Sequence, residues 1–378
     1  MSRALSTRRL RWALPAGVAA AIAAASLAST VTTSAAAEPN LPARTAAQLL
    51  VDLETANPAG FSGTIVETAK LGLPELPDVG GPGADSALSL SNLVTGAHTV
   101  RVWYGGHDKQ RIALLGQLSE SDIIHNGKDL WSYSSTDRKV THTTLSPSES
   151  TGLSERGVTG MTPQAAADAA LKAIDPTTAV EVDRTARVAG RAAYQLLLEP
   201  KDSRSLIGSV RIAIDAQMSM PLRVQVFARD ASSPAIQVGF TDVSFTTPDA
   251  SVFSFVPPAG STVVQGGPLS GPGLAPGAEM PKRIKDHAGS TASDMPDRQG
   301  PKLLGKGWTA VVEARDPGLS SGGSQLSAVL NKIATPVDGG RVVTSALFTA
   351  FITDDGRIFV GPVSSDAIRQ VAATGQGL

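Results

Sequence analysis

Two short stretches of the chain have apolar residues at helical spacing, and most of the rest alternates with a period of two. In the first stretch the apolar positions fall at i, i+3, i+4 and i+7: Ala46, Leu49, Leu50 and Leu53. This spacing predicts a helix over residues 45–56, which Asn57-Pro58 ends. A second helix is predicted from Pro163 to Ile174, with Thr162 as its cap.

The alternating stretches predict strands of an antiparallel sheet. They are Phe61–Thr68, His98–Tyr104, Gln110–Leu115, Asp122–His125, Leu130–Ser134, Val140–Leu145, Ala179–Val188, Ala192–Glu199, Ile207–Asp215, Leu222–Ala228 and Ala235–Phe245. Gly105-Gly106 and Asn126-Gly127 predict hairpin turns between them. A sheet this large curls, so we expect an α+β fold: an incomplete β-barrel with the helices packed in its concave face.

The ends of the chain differ from this central region of 38–256. Basic residues, the apolar run Trp12–Leu27 and the small residues Ala35-Ala36-Ala37 predict a signal peptide over 1–37. The alternative is an uncleaved N-terminal anchor, although the run is short for a span of about 20 residues. Residues 257–302 are rich in Pro, Gly, Ser and Asp, which predicts a linker. Residues 303–378 are predicted to form a small α+β unit. We therefore expect an extracytoplasmic protein.

Composition and charge narrow the function. With no cysteine among 378 residues, disulfides, thiol nucleophiles, Cys-ligated metals and an acylated N-terminal cysteine are excluded. A net charge of −1 argues against a nucleic-acid partner. The five His are not closely paired, and the phosphate-binding, nucleophile-elbow and zinc-protease motifs are missing. We expect no enzyme activity, no metal and no cofactor.

The segment Ile123–Val140 contains Asn-Gly-Lys-Asp-Leu-Trp-Ser-Tyr and resembles a hairpin of the LolA/LolB and RseB/MucB superfamily. Gln110–Leu114 and Leu222–Val226 are similar to two further strands of that superfamily, and the resemblance covers residues 45–256. It implies a half-open barrel around an apolar cavity. The implied activities are carriage of lipids or lipoproteins and stress sensing through an anti-sigma factor.

Within such a barrel, alternate apolar residues are candidates to line the lipid cavity. The candidates are Val100, Val102, Tyr104, Ile112, Leu114, Trp131, Tyr133, Leu196, Leu198, Ile212, Ile214, Val224 and Val226. Arg101 and Arg111 are candidates to contact a lipid head group. The alternatives are a filled sandwich core, an aromatic pair at Trp131 and Tyr133 that fixes register, and arginines on a solvated face.

These features favour an exported, non-enzymatic carrier that holds lipid or lipoprotein acyl chains. Two alternatives stay open: an RseB-like envelope-stress sensor that binds a membrane anti-sigma factor, and a structural envelope protein without a ligand. The second C-terminal unit favours the sensor, whereas a loose linker argues against a packed two-domain sensor.

Overall fold

The computed structural model describes residues 38–73, 95–116, 119–147, 149, 162–172, 174–267, 301–315 and 333–378. The predicted signal peptide and most of the predicted linker lie outside these residues. Within the described ranges, no helix is long and apolar enough to cross a membrane.

Twelve strands form the first sheet, with two helices beside them. The strands are β1 (Phe61–Lys70), β2 (Thr95–Tyr104), β3 (Lys109–Leu115), β4 (Glu120–Asn126), β5 (Asp129–Ser134), β6 (Lys139–Thr144), β7 (Thr178–Val188), β8 (Arg191–Pro200), β9 (Ile207–Asp215), β10 (Pro221–Ala228), β11 (Ile236–Ser244) and β12 (Thr262–Gln265). The helices are α1 (Ala46–Thr55) and α2 (Pro163–Lys172), and a 3-10 helix, η1, spans Ala250–Phe253.

The strand order of this sheet is β12-β6-β5-β4-β3-β2-β1-β11-β10-β9-β8-β7. Strands β1–β6 and β7–β11 are thus two meanders of consecutive antiparallel strands, joined by the pairing of β1 with β11. The two ends of the order do not pair with each other in the described part of the sheet, so the predicted open, mainly antiparallel architecture is found.

Helix α1 begins where the sequence predicted a helix, and a capping box forms at its start. The Thr45 side chain accepts a hydrogen bond from the Gln48 backbone N–H, and the Gln48 side chain accepts one from the Thr45 N–H. The helix buries Leu49 and Leu53, and α2 buries Ala167. Both helices therefore present their apolar stripe to the sheet.

Residues 302–374 form a second unit. Its strands are β13 (Lys302–Leu304), β14 (Val311–Arg315), β15 (Thr335–Val337), β16 (Gly340–Thr344), β17 (Thr349–Thr353) and β18 (Arg357–Gly361), in the order β13-β14-β18-β17-β16-β15. A 3-10 helix, η2, spans Gly307–Thr309, and helix α3 spans Ser365–Thr374. Val311, Phe359, Ile368 and Val371 form its core with strand residues around them.

Strand β12 differs from the sequence prediction. The first described residues of the predicted linker include β12, which pairs in parallel with β6, because Val263 and Val264 are β-branched residues suited to a sheet. Strand β15 contains Pro336, and proline usually argues against a strand. It lies at the edge of the second sheet, where proline is tolerated.

Candidate functional site

The predicted lining residues of β8, β9 and β10 form one row across the sheet. Leu196 pairs with Ile212, and Ile212 pairs with Val224. Directly paired residues point to the same face of a sheet, and so do residues two apart in a strand. Leu198, Ile214 and Val226 therefore share this face with them. Leu196, Leu198 and Ile212 have no exposed surface.

The same face continues through β11 and β1 to β2 and β3. Val224 pairs with Val238, and two residues along β11 Phe240 pairs with Ile65 of β1. Ile65 pairs with Val100, and the remaining predicted residues of β2 and β3 follow by alternation and pairing: Val102, Tyr104, Ile112 and Leu114. We call this common surface the apolar face. Along this face, most predicted residues of β2 and β3 pack in one buried cluster and those of β8–β10 in a second cluster.

Helices α1 and α2 and one tryptophan of the second unit cover the apolar face over β8–β10. Leu49, Leu53, Ala167 and Trp308 pack in one cluster with the row that contains Leu196. The Trp308 indole N–H donates a hydrogen bond of 2.7 Å to Thr178 Oγ1. The sequence offered no signal for this contact, because Trp308 is far from the sheet along the chain.

Trp131 and Tyr133 do not belong to the apolar face, and their predicted placement is wrong. Trp131 pairs with Ile124, which pairs with Arg111. Arg111 and Ile112 are adjacent in β3, so their side chains point to opposite faces of the sheet. The two aromatic rings therefore lie on the other side of the sheet. There Trp131 stacks on His142 with 3.9 Å between ring centroids, and both predicted aromatics contact Phe255.

Arg101 and Arg111 also lie on the opposite side, so they cannot contact a head group of a lipid on the apolar face. The Arg101 guanidinium lies 4.9 Å above the Trp103 ring, and Arg111 Nη2 is 2.8 Å from Asp122 Oδ2. Burial raises the pKa of the Asp122 carboxyl, and Arg111 partly opposes this effect. This buried ion pair fixes β3 to β4.

A carboxyl on the apolar face was not predicted. Glu67 of β1 follows Ile65 by two residues and pairs with Val238 on one side and His98 on the other. The sequence does carry a signal for this residue, since a charged residue is unusual at a strand position whose alternate neighbours are apolar. Glu67 is therefore an acidic residue of this face, with Val238 on one side and His98 on the other.

Elsewhere the described residues offer a polar pocket and no metal site. A pocket of about 660 Å³ lies in the second unit, lined among others by Asp338, Asp354, Asp355, Arg357 and Arg369. Its charged lining does not suit an acyl chain. Among the described side chains, no group of three or more His, Asp or Glu is placed to hold a metal.

These features define a class: an open, curled, mainly antiparallel sheet whose apolar face is covered by short helices and by a packed second unit. Residues 95–256 match the family described as the MucB/RseB N-terminal domain. The predicted resemblance to RseB/MucB proteins is therefore confirmed over these residues.

Several solved structures are similar to the chain. The MucA/MucB complex of Pseudomonas aeruginosa is 14% identical, and the match covers 86% of this chain and 96% of that chain with a TM-score of 0.41. An uncharacterized Thermus thermophilus protein has 11% identity, coverages of 58% and 98%, and a TM-score of 0.31.

A LolA superfamily protein of Nitrosomonas europaea has 11% identity, coverages of 56% and 99%, and a TM-score of 0.22. At such scores these likenesses carry no argument about function. No curated protein sequence matches the chain.

Proposed function

We propose that this protein binds the acyl chains of a lipid or lipoprotein on its apolar face, in the cell envelope and without catalysing a reaction. One observation carries the proposal: the predicted lining residues of β8, β9 and β10 share one buried face, under two short helices. The match to a MucB/RseB domain supports the same class of function.

The apolar contacts of the helical cover can be compared with those that an acyl chain would make in their place. Helix α1 buries two leucines against the sheet, and each contributes about 1.5–3 kcal/mol. Helix α2 packs three alanines there, Ala166, Ala167 and Ala170, together with the partly buried Leu171. Burying an acyl chain of about 16 carbons yields about 12 kcal/mol. An acyl chain can therefore offset the loss of these contacts.

Native mass spectrometry tests whether the protein holds a ligand. Residues 38–378 would be purified from the native host without detergent. Extra mass that extracts into organic solvent and fragments as acyl chains is the expected result. A ligand-free mass, together with no uptake of an added fluorescent lipid, would contradict the proposal and favour a structural envelope protein.

The location of the ligand can be tested separately, because the chain has no native cysteine. Ala170→Cys places a polarity-sensitive dye on the side of α2 that packs against the row of Leu196. Ala169→Cys, at an exposed position of the same helix, is the matched control. Added lipid should shift the emission of the dye at 170 and leave that at 169 nearly constant. Equal responses would place the lipid elsewhere.

A sensor that passes ligand binding to a protein partner is the second candidate, and the contacts of Trp308 favour it. Trp308 belongs to the second unit but packs among the residues that a ligand would contact. Further contacts join the units: the Leu206 N–H donates to the Pro362 carbonyl and the Ala346 N–H to the Leu71 carbonyl. The objection that the linker implies loosely joined units is therefore weakened.

Hydrogen exchange distinguishes sensor from carrier. In a sensor, lipid should change the protection of amides in η2 and β14, near Trp308, as well as in α1 and α2. In a simple carrier only α1, α2 and the apolar face should respond. An anti-sigma factor or another membrane protein is the partner that the sensor reading implies.

A further inference from the structure

Glu67 and His98 interrupt an otherwise apolar row. From β2 to β9 the directly paired residues are His98, Glu67, Val238, Val224 and Ile212. Ile65, which precedes Glu67 on the same face, is fully buried, and Val238 is nearly so. The carboxyl therefore borders the surface proposed to hold acyl chains.

The Glu67 carboxyl is incompletely satisfied. Its Oε2 atom is buried and has no hydrogen-bond partner among the described residues. Burial raises the pKa of Glu67 above its ordinary value of 4.5, and the nearby His98 partly lowers it. A buried acceptor without a donor costs free energy, so a ligand that supplies a donor gains more than an ordinary hydrogen bond.

The position of Glu67 suits the polar end of a bound lipid. Helix α2 contacts β10 and β11, and β11 is the direct neighbour of β1, which carries Glu67. The carboxyl thus lies on the strand beside those that the helix covers. An acyl chain under α2 could end in a head group near this carboxyl.

We propose that Glu67 anchors the head group of the bound lipid by accepting a hydrogen bond from it. The ligand class is therefore an acyl chain whose head carries a hydroxyl or an ammonium donor, and an anionic head is disfavoured by repulsion from the carboxylate. This inference rests on the proposed acyl-binding function and adds selectivity for the head group.

The test compares three ligands of equal chain length: monopalmitoylglycerol, hexadecylamine and palmitate. Their affinities at neutral pH would be measured by displacement of a fluorescent fatty-acid probe. The wild type should prefer monopalmitoylglycerol to palmitate about tenfold, which corresponds to about 1.4 kcal/mol. Hexadecylamine shows whether a cationic donor is preferred to a hydroxyl.

Glu67→Gln should reduce the preference over palmitate to about threefold or less, because the repulsion is removed. Glu181→Gln, at an exposed strand position, is the matched control and should keep the wild-type preference. A structural role of Glu67 would change stability but not this ratio.

The outcomes separate the two proposals. If the wild type binds all three ligands alike, or if Glu67→Gln keeps the wild-type ratio, the head-group inference is overturned while acyl binding stands. If the wild type binds neither the probe nor any ligand, acyl binding falls and the head-group inference falls with it.

Discussion

The face that α1 and α2 cover and the face that η1 covers bury different kinds of side chain. The helix-covered half, β8–β10, buries Leu196, Ile212 and Val224 under α1 and α2. In the turn-covered half, β3–β6, helix η1 contacts β3 and β4, and Asp122 and His125 are buried among apolar residues. The helix-covered face of β8–β10 thus relies on apolar contacts, whereas the region under η1 includes the half-buried Arg111–Asp122 ion pair. The Arg191–Asp215 pair of β8 and β9 lies on the opposite face, because Asp215 is adjacent to Ile214 in β9.

This difference bears on which half can open. Apolar contacts are non-directional, so another apolar molecule can replace them. An ion pair between Arg111 and Asp122 has a fixed geometry, and separating it would leave a buried charge. The helix-covered half is therefore suited to exchange its cover, whereas the turn-covered half is suited to keep its shape.

The largest expected effect comes from breaking the ion pair. Asp122→Ala should lower the free energy of unfolding by about 3–4 kcal/mol, because it leaves Arg111 without its carboxylate partner. Urea denaturation measures this loss. The double variant Arg111→Met, Asp122→Leu should recover most of it. A loss below about 1 kcal/mol for the single variant would show that the pair is effectively solvated.

A cavity in the helix-covered half should have a smaller and reversible effect. Leu196→Ala should lower the free energy of unfolding by about 3 kcal/mol in the ligand-free protein. Saturating lipid should raise the free energy of unfolding of Leu196→Ala by more than it raises that of the wild type, since an acyl chain can fill the cavity. Leu303→Ala, at an exposed position, serves as the control. Equal lipid effects on both proteins would contradict an apolar binding site here.

Loosening the cover itself should cost less. Thr45→Ala removes the capping box of α1 and should destabilise the protein by about 1 kcal/mol. The same change should increase the rate of lipid uptake, because α1 leaves the sheet more readily. Stopped-flow uptake of a fluorescent lipid measures this, with Thr55→Ala at the other end of the helix as control. An unchanged uptake rate would argue against α1 as part of the moving cover.

The smallest effect concerns Glu67 and depends on pH. Because burial raises the pKa of Glu67, the folded protein binds this proton more tightly than the unfolded chain does. Its stability contribution is therefore present in acid and is lost as pH rises through the raised pKa. Glu67→Gln should match the wild type below pH 4.5 and be slightly more stable at neutral pH. Thermal unfolding at both pH values measures this difference, and a Glu67→Gln variant less stable than the wild type at neutral pH would contradict the prediction.

Local patterns predicted most elements but not which face each residue occupies. Gly127, at positive φ, begins the turn between β4 and β5 where Asn126-Gly127 predicted it. Alternation also showed that Trp131 and Tyr133 share a face. Which face that is depends on pairing across three strands up to Arg111, and the sequence does not encode this register locally.

The candidate site was predicted in the same uneven way. Alternate apolar residues such as Leu196 and Ile212 indicated their own shared face, because each strand carries this information by itself. Trp308, Glu67 and the correct placement of Arg111 depend on contacts between segments that are distant along the chain. Such contacts follow from the complete packing and have no signature in a short stretch of sequence.

The pairing of β1 with β11 has a consequence for how the chain acquires its structure. Each meander consists of strands adjacent in sequence and can form early, whereas the two meanders join only when Ile65 meets Phe240. Closing so long a loop carries an entropic cost, and folds dominated by such distant pairings form slowly. Until that step β1 lacks one of its two neighbouring strands. A chain under synthesis therefore cannot complete this sheet before β11 is available.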